Sequence, residues 1–246
     1  MRIDLNADLG EGCDTDEAIL EQVSSINIAC GWHAGSAETM QQIARAAIRR
    51  GVAIGAHPGY PDREHFGRRE LTLPPGVLRA GILYQLGALD AIVRAEGGRL
   101  VHVKAHGALY NQSARDAALA RCIAEAVRDF NPGLKVMGLA GSAMIDAIRA
   151  AGLVALEEGF ADRRYTAEGR LVPRGTPGAL IDDTGQMLAQ ALSLVQGGSV
   201  NAQDGNACRL RIDTICLHGD GPQAPEFART LRLALEHAGV VVAAHV

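Results

Sequence analysis

The segment 101-VHVKAHGALYN-111 decides the fold. Val101, Val103 and Ala105 alternate with His102, Lys104 and His106, the period-two pattern of a strand with two unlike faces. A parallel strand in an open sheet is covered by helices on both sides and should be apolar on both. One wholly polar face fits a closed barrel with polar chemistry inside. The stretch 3-IDLNADL-9 repeats the pattern, with Ile3, Leu5, Ala7 and Leu9 on one side and Asp4, Asn6 and Asp8 on the other. Only two of the 24 lysines and arginines are lysines, Lys104 and Lys135, so a lysine between histidines is conspicuous.

Short apolar runs alternate with helical patterns along the rest of the chain. Strands are predicted at 3–8, 25–30, 52–57, 101–106, 135–140, 153–160 and 213–218, with a possible further one at 240–243. Ser36 can cap a helix whose Met40, Ile43, Ala44, Ala47 and Ile48 share a face, and Gly51 ends it. Leu78, Ile82, Leu89, Ile92 and Val93 mark a longer helix closed by Gly97-Gly98. Ser113 and Asp116 have capping-box spacing before the stripe Leu119, Cys122, Ile123, Ala126 and Val127. Two more helices follow, around Leu188–Val195 and Phe227–Ala238. Repeated β–α units imply parallel strands joined by right-handed crossovers. With no internal repeat or linker, residues 1–246 are expected to form one α/β domain, a single-domain β/α barrel.

The totals agree with this and exclude several classes. Hydrophobic residues are 48% of the 246 and charged residues 21%, enough for a sizeable core. A net charge of −4 offers no footprint for nucleic acid or an anionic membrane surface. No apolar run approaches the roughly 20 residues that span a bilayer. The strand pattern by Ile3 leaves no room for a signal peptide. Five scattered cysteines (13, 30, 122, 208 and 216) without a C-x-x-C pair argue against disulfides and a zinc ribbon, so a cytoplasmic protein is expected.

Polar residues gather where the strands end, which in a β/α barrel is the active-site face. These ends are Asp8 with Glu11, 30-CGWHAG-35, 57-HPGYPD-62, 106-HGALYN-111, Glu158 with 160-FADRRY-165, and 218-HGD-220. A lone strand-end histidine is more often structural. His33, His57, His106 and His218 at equivalent positions of four strands point to a shared site instead. Histidines converging with carboxylates serve either a divalent metal or metal-free acid/base catalysis. No H-E-x-x-H spacing decides between them; Asp8, His33 and His57, from three consecutive strands, are the candidate metal ligands. Lys104 could form a structural ion pair, stabilise an anion or act as a nucleophile. Arg63, Arg68 and Arg69 lie on a connection that is either a solvated loop or a cover binding a carboxylate or phosphate. Trp32 could wall the site or pack in the core. No G-x-x-x-x-G-K-[ST] loop and no G-x-S-x-G elbow occurs.

The blocks DLNADLGEG (4–12), NIACGWHAG (27–35), GVAIGAHPGYPD (51–62), FGRRE (66–70), HVKAHGALYN (102–111), FADRRY (160–165), LVPRGTPGALI (171–181) and ICLHGD (215–220) resemble the LamB/YcsF family of lactam-utilisation proteins. Trp32, Ser36, Gly59 and Ala105 stand where that family more often has Phe, Asp, Ser and Pro, and the stretch between Gly12 and Asp16 is shorter. The resemblance implies a seven-stranded barrel of the glycoside hydrolase/deacetylase type. It also implies ATP-dependent opening of 5-oxoproline to L-glutamate, by the A component of an enzyme completed by 5-oxoprolinase subunits B and C. Nucleotide handling by those partners would agree with the missing phosphate loop. On this basis Asp8, Lys104, His106 and His218 are expected to be catalytic. Asn6, Tyr60, Arg68, Asn111, Glu158, Asp162 and Asp220 are expected to bind the lactam, and a divalent metal remains open. Two other classes stay in view: a stand-alone metal-dependent deacetylase or carbohydrate hydrolase, and a non-catalytic lactam-binding regulator.

Overall fold

The computed structural model describes residues 1–217 and 223–246. Seven parallel strands close a barrel: β1 (Arg2–Leu9), β2 (Ser25–Ala29), β3 (Ala53–His57), β4 (Leu100–Lys104), β5 (Lys135–Leu139), β6 (Val154–Phe160) and β9 (Thr214–Leu217). Each pairs with the next in that order, and β9 closes the ring on β1 with Asp4 opposite Thr214 and Asn6 opposite Cys216. The two-residue β10 (Val241–Val242) adds to the start of β1.

The helices that cover the barrel carry the predicted stripes. In α2 (Ala37–Arg50), Ser36 accepts from the Thr39 N–H as N-cap and Gly51 closes the end in the left-handed region. The helix expected after strand four is two helices, α4 (Gly107–Ser113) and α5 (Ala117–Phe130). Asp116 alone caps α5, accepting from the Ala118 and Leu119 N–H groups, while the Ser113 hydroxyl bonds back to the Tyr110 carbonyl. The α1 (Asp16–Leu20) and α6 (Ala143–Ala150) helices are too short to stand out as periodic patterns. The helix α3 (Pro75–Ala95) is closed by Gly97-Gly98 as expected: Gly97 is left-handed (φ +82°), its N–H donates to the Arg94 carbonyl and the Gly98 N–H to the Val93 carbonyl. Among the described residues it is the one helix that is long and apolar enough, by length and composition, to cross a membrane, where no such stretch was expected. Its Leu78, Ile82, Leu86, Leu89 and Val93 are buried in the main core, so much of that apolar character is a packing face. Between α7 (Thr184–Gly197) and β9 lies a small antiparallel hairpin, β7 (Ser199–Asn201) with β8 (Ala207–Arg209).

Alternation sorts the strand residues as expected. Ile3, Leu5, Ala7 and Leu9 are fully buried in the core cluster. The opposite face of the strands builds a buried polar network. Asp4 accepts from the hydroxyls of Ser24 (2.6 Å), Ser25 (2.8 Å) and Thr214 (2.7 Å). Above it, the Asn6 amide donates to Glu158 (2.9 Å) and Thr214 (2.8 Å), and its oxygen accepts from Asn27 (2.8 Å). His102 meets Asn27 Oδ1 at 2.8 Å. Buried polar groups must find partners, and here they find one another across strands.

Candidate active site

Three histidines reach the C-terminal end of the barrel from consecutive units. His33 follows β2, His57 ends β3, and His106 is the N-cap residue of α4. The His33 and His106 rings stack with centroids 3.7 Å apart, and His57 stands edge-on to both. The connection after β3 lies over them, and its glycine is required. Gly67 is in the left-handed region (φ +61°), and a Cβ there would lie 2.8 Å from His33 Cβ and 2.9 Å from His106 Cδ2. Phe66, just before it, holds a left-handed φ of 55°, rare for a bulky residue, and its carbonyl meets His106 Nε2 at 2.8 Å.

These carbonyl contacts decide the chemistry of the rings. His57 Nδ1 lies 2.8 Å from the Lys104 carbonyl, so that nitrogen donates and Nε2 keeps its lone pair. His106 Nε2 donates to Phe66, leaving the lone pair on Nδ1. The two lone-pair nitrogens face each other at 3.0 Å. Glu11 Oε1 adds another acceptor 3.0 Å from His106 Nδ1 and 3.1 Å from His33 Nε2, and Asp8 Oδ2 lies 3.4 Å from His57 Nε2. Neutral acceptors cannot sit face to face at this distance without a proton or a cation between them. One donor atom each from Glu11, His33, His57 and His106 falls within 4.8 Å of the others, so the cluster can hold a metal ion. Histidines backed by carbonyls are the usual outer support of such a site.

The charges follow from burial and these neighbours. Burial pushes His33 down to about 3, against the pull of Glu11. Burial also lowers His106. His57 is equally buried, but Asp8 and Glu11 outweigh that penalty and raise it. Glu11 is penalised by burial too, yet its hydrogen bonds to His106 and His33 hold it below the usual carboxylate range. In the absence of a metal, the shared proton therefore belongs to His57.

Beside the cluster, Lys104 Nζ lies 2.8 Å from Glu158 Oε1, 3.0 Å from Asp8 Oδ1 and 3.2 Å from Asn6 Oδ1. Burial works against the ammonium, but Asp8 and Glu158 outweigh it and keep its pKa well above the ordinary lysine value. Lys104 is thus a fixed cation, unsuited to act as a neutral amine nucleophile.

A cavity of about 630 Å³ opens above these groups, lined by Asp8, Glu11, His57, Lys104 and His106 as well as Arg68 and Asn111. Other expected site residues are placed elsewhere. Asn6 and Glu158 lie below the floor, fully buried, with the Asn6 amide and oxygen already committed to protein partners. Tyr60 is buried at 1% exposure and does not line the cavity, and neither does the half-buried Asp162. His33 is in the cluster but behind the lining. His218 and Asp220 lie outside the described residues. Of the loop arginines, Arg63 clamps the Gly31 and Gly35 carbonyls, Arg69 pairs with Asp62, and only Arg68 faces the cavity. Trp32 packs on Gly81 of α3, beside Tyr84, and does not wall the site. Glu11 was expected at a strand end but without a role; a carboxylate three residues past Asp8 is the signal that could have given it one. Arg163, in the 160-FADRRY-165 strand end, was expected on this face but without a role, and Arg170 and Arg174 were not expected on the lining, because nothing in the sequence tells which charges of a long connection face inward.

Comparison with known proteins places this geometry. The fold matches the crystal structure of the lactam utilization protein from Thermus thermophilus with a TM-score of 0.93 and 47% identity, covering 100% of both chains. More distant likenesses support the fold alone. A putative cellobiose-phosphate cleavage protein from Enterococcus faecalis V583 gives a TM-score of 0.56 at 13% identity, over 98% of this chain and 96% of that one. The catalytic domain of a peptidoglycan N-acetylglucosamine deacetylase from Eubacterium rectale gives 0.53 at 11%, over 99% and 88%. The LamB/YcsF family model matches residues 3–246, so this chain, with its closed seven-stranded barrel and histidine–carboxylate cluster, belongs to the LamB/YcsF family.

Proposed function

We propose that this chain is the A component of an ATP-dependent 5-oxoprolinase, which hydrolyses 5-oxo-L-proline to L-glutamate with ADP and phosphate as co-products and works with subunits B and C. The observation that carries the proposal is full-length 47% identity to a lactam utilization protein, on a barrel whose polar end gathers the acids and bases that hydrolysis needs. A lactam is resonance-stabilised, and phosphorylation of its amide oxygen makes the carbonyl carbon open to attack. Asp8, Glu11 and the histidines supply acceptors for the proton of the attacking water. Lys104, held as a cation at the cavity floor, offsets the negative charge that develops. ATP is assigned to the assembled enzyme, since the sequence has no phosphate loop.

The donor set also fits a divalent metal. Glu11, His33, His57 and His106 would hold it, with Asp8 at the edge of the set. Such an ion would supply Lewis acidity and a more acidic water. The facing lone pairs of His57 and His106 favour a second reading, metal-dependent hydrolysis by the chain alone, of an acetyl group as a deacetylase or of a glycosidic bond as a carbohydrate hydrolase.

The deciding experiment is glutamate formation from 5-oxo-L-proline and ATP, with and without subunits B and C, alongside an assay on acetylated sugars with added Zn²⁺. Glutamate formed only with all three chains supports the proposal. Deacetylation by the chain alone, with no glutamate from the mixture, would replace it by the second reading.

A further inference from the structure

The side of the cavity formed by the β6–α7 connection carries three arginines, Arg163, Arg170 and Arg174. Their surroundings differ from those of the other charged residues on the lining. Arg115 is neutralised by Glu70, both of whose oxygens lie 2.6 Å from it, and Lys104 is paired with Asp8 and Glu158. Among the described residues, no carboxylate lies within ion-pair distance of Arg163, Arg170 or Arg174.

Arg163 is the informative member. It is only 4% exposed, yet it lines the cavity. Its Nη2 donates to the Val172 carbonyl at 2.7 Å, while Nε is buried with no acceptor. A buried guanidinium left short of acceptors is costly, because it gives up water without replacement. Burial and the nearby Arg174 charge both act against it, and the Asp162 charge offsets them only in part. The Arg163 main chain is anchored as well. The Gln190 amide holds the Arg163 carbonyl at 2.8 Å and the Phe160 carbonyl at 2.8 Å, and an antiparallel bridge joins Arg163 to Leu180. The connection thus fixes the Arg163 main chain, and the Val172 carbonyl holds one end of its guanidinium at the cavity, at a cost that an anion bound there would offset.

We propose that Arg163, Arg170 and Arg174 form a subsite for an anionic oxygen group of the substrate, a carboxylate or a phosphoryl group. Arginine forks bind both groups with paired charge-assisted hydrogen bonds. The arrangement gives the cavity two poles, with the histidine–carboxylate cluster for the reacting carbon and the arginines for the anion that orients it. The choice of 5-oxo-L-proline as a probe rests on the lactam reading; the subsite itself does not.

Calorimetric titration of the full chain tests this with three probes: inorganic phosphate, 5-oxo-L-proline, and 2-pyrrolidinone, the same ring without the carboxylate. Arg174→Gln, at a half-buried position, should keep the wild-type melting temperature and weaken anion binding at least about tenfold, the scale of one charge-assisted pair. Arg163→Lys, which keeps the charge but loses the fork, should weaken it as well; if that variant does not fold, Arg174→Gln decides. Loss confined to phosphate assigns the subsite to a phosphoryl group, and loss that includes 5-oxo-L-proline but spares 2-pyrrolidinone assigns it to the carboxylate. A wild-type chain that binds neither anion, or a folded Arg174→Gln that binds both unchanged, overturns the proposal. Phosphate binding that depends on these arginines, together with no glutamate from the three assembled chains, would keep the subsite and remove the lactam reading.

Discussion

On the proposed function, the single side chain of Lys104 serves stability and reaction together. Its ammonium is the shared counter-charge of Asp8 and Glu158, so Lys104→Met leaves two buried carboxylates uncompensated. Breaking such a buried pair costs about 3–5 kcal/mol, which denaturant titration would register. Adding Glu158→Gln should restore much of that loss while turnover of the assembled enzyme stays at least about 100-fold down, the scale of one lost charge-stabilising donor. A double variant with normal turnover would make Lys104 purely structural. His57 gives a prediction of opposite sign with pH. Its pKa is raised, so the ring gains a proton first as pH falls and loses the lone pair a metal needs. Zn²⁺ affinity should be level above that pKa and fall about tenfold per pH unit below it. His57→Asn should abolish the slope together with most of the affinity, and titration of the metal-free chain at several pH values would check both.

At the scale of the element, the close approaches between strands are as constraining as the side-chain chemistry. Gly55 on β3 sits against His102 of β4, and a Cβ at that position would fall 2.0 Å from His102 Nε2. The ring cannot move without giving up Asn27, so Gly55→Ala should destabilise by about 1–3 kcal/mol or more, seen as a lower denaturation midpoint. An unchanged midpoint would mean that the strands have room to part. The strands were legible in the sequence because inward and outward residues alternate, as in 3-IDLNADL-9. The short helices α1, α4 and α6 were not, since one or two turns leave no periodic stripe. The site was legible in part for the same reason. Strand-end histidines announce themselves by position, and so the cluster's His33, His57 and His106 were found. Whether Tyr60 or Arg163 faces a cavity depends on how a long connection folds, and no period reports that.

For the whole molecule, the barrel places all three described strand-end histidines at one end and closes the other with the Asp4 network. On the proposed function, ATP with the purified chain alone should give no measurable glutamate, and adding subunits B and C should start the reaction; glutamate from the chain alone would refute that division of labour. The closure itself has a consequence in time. Asp4 takes hydrogen bonds from Ser24 and Ser25 on one flank and from Thr214, 210 positions along the chain, on the other. Until that distant hydroxyl arrives, a carboxylate destined for burial lacks one of its three donors, and the edges of β1 and β9 stay open to other chains. Ring closure is therefore expected to be the late, slow event of folding, set by the entropy of joining the two most separated strands of the barrel. A ribosome must release the 210 positions from Asp4 to Thr214 before the first strand finds that neighbour, so Thr214→Val should slow refolding and increase aggregation during it, well beyond its effect on the finished barrel.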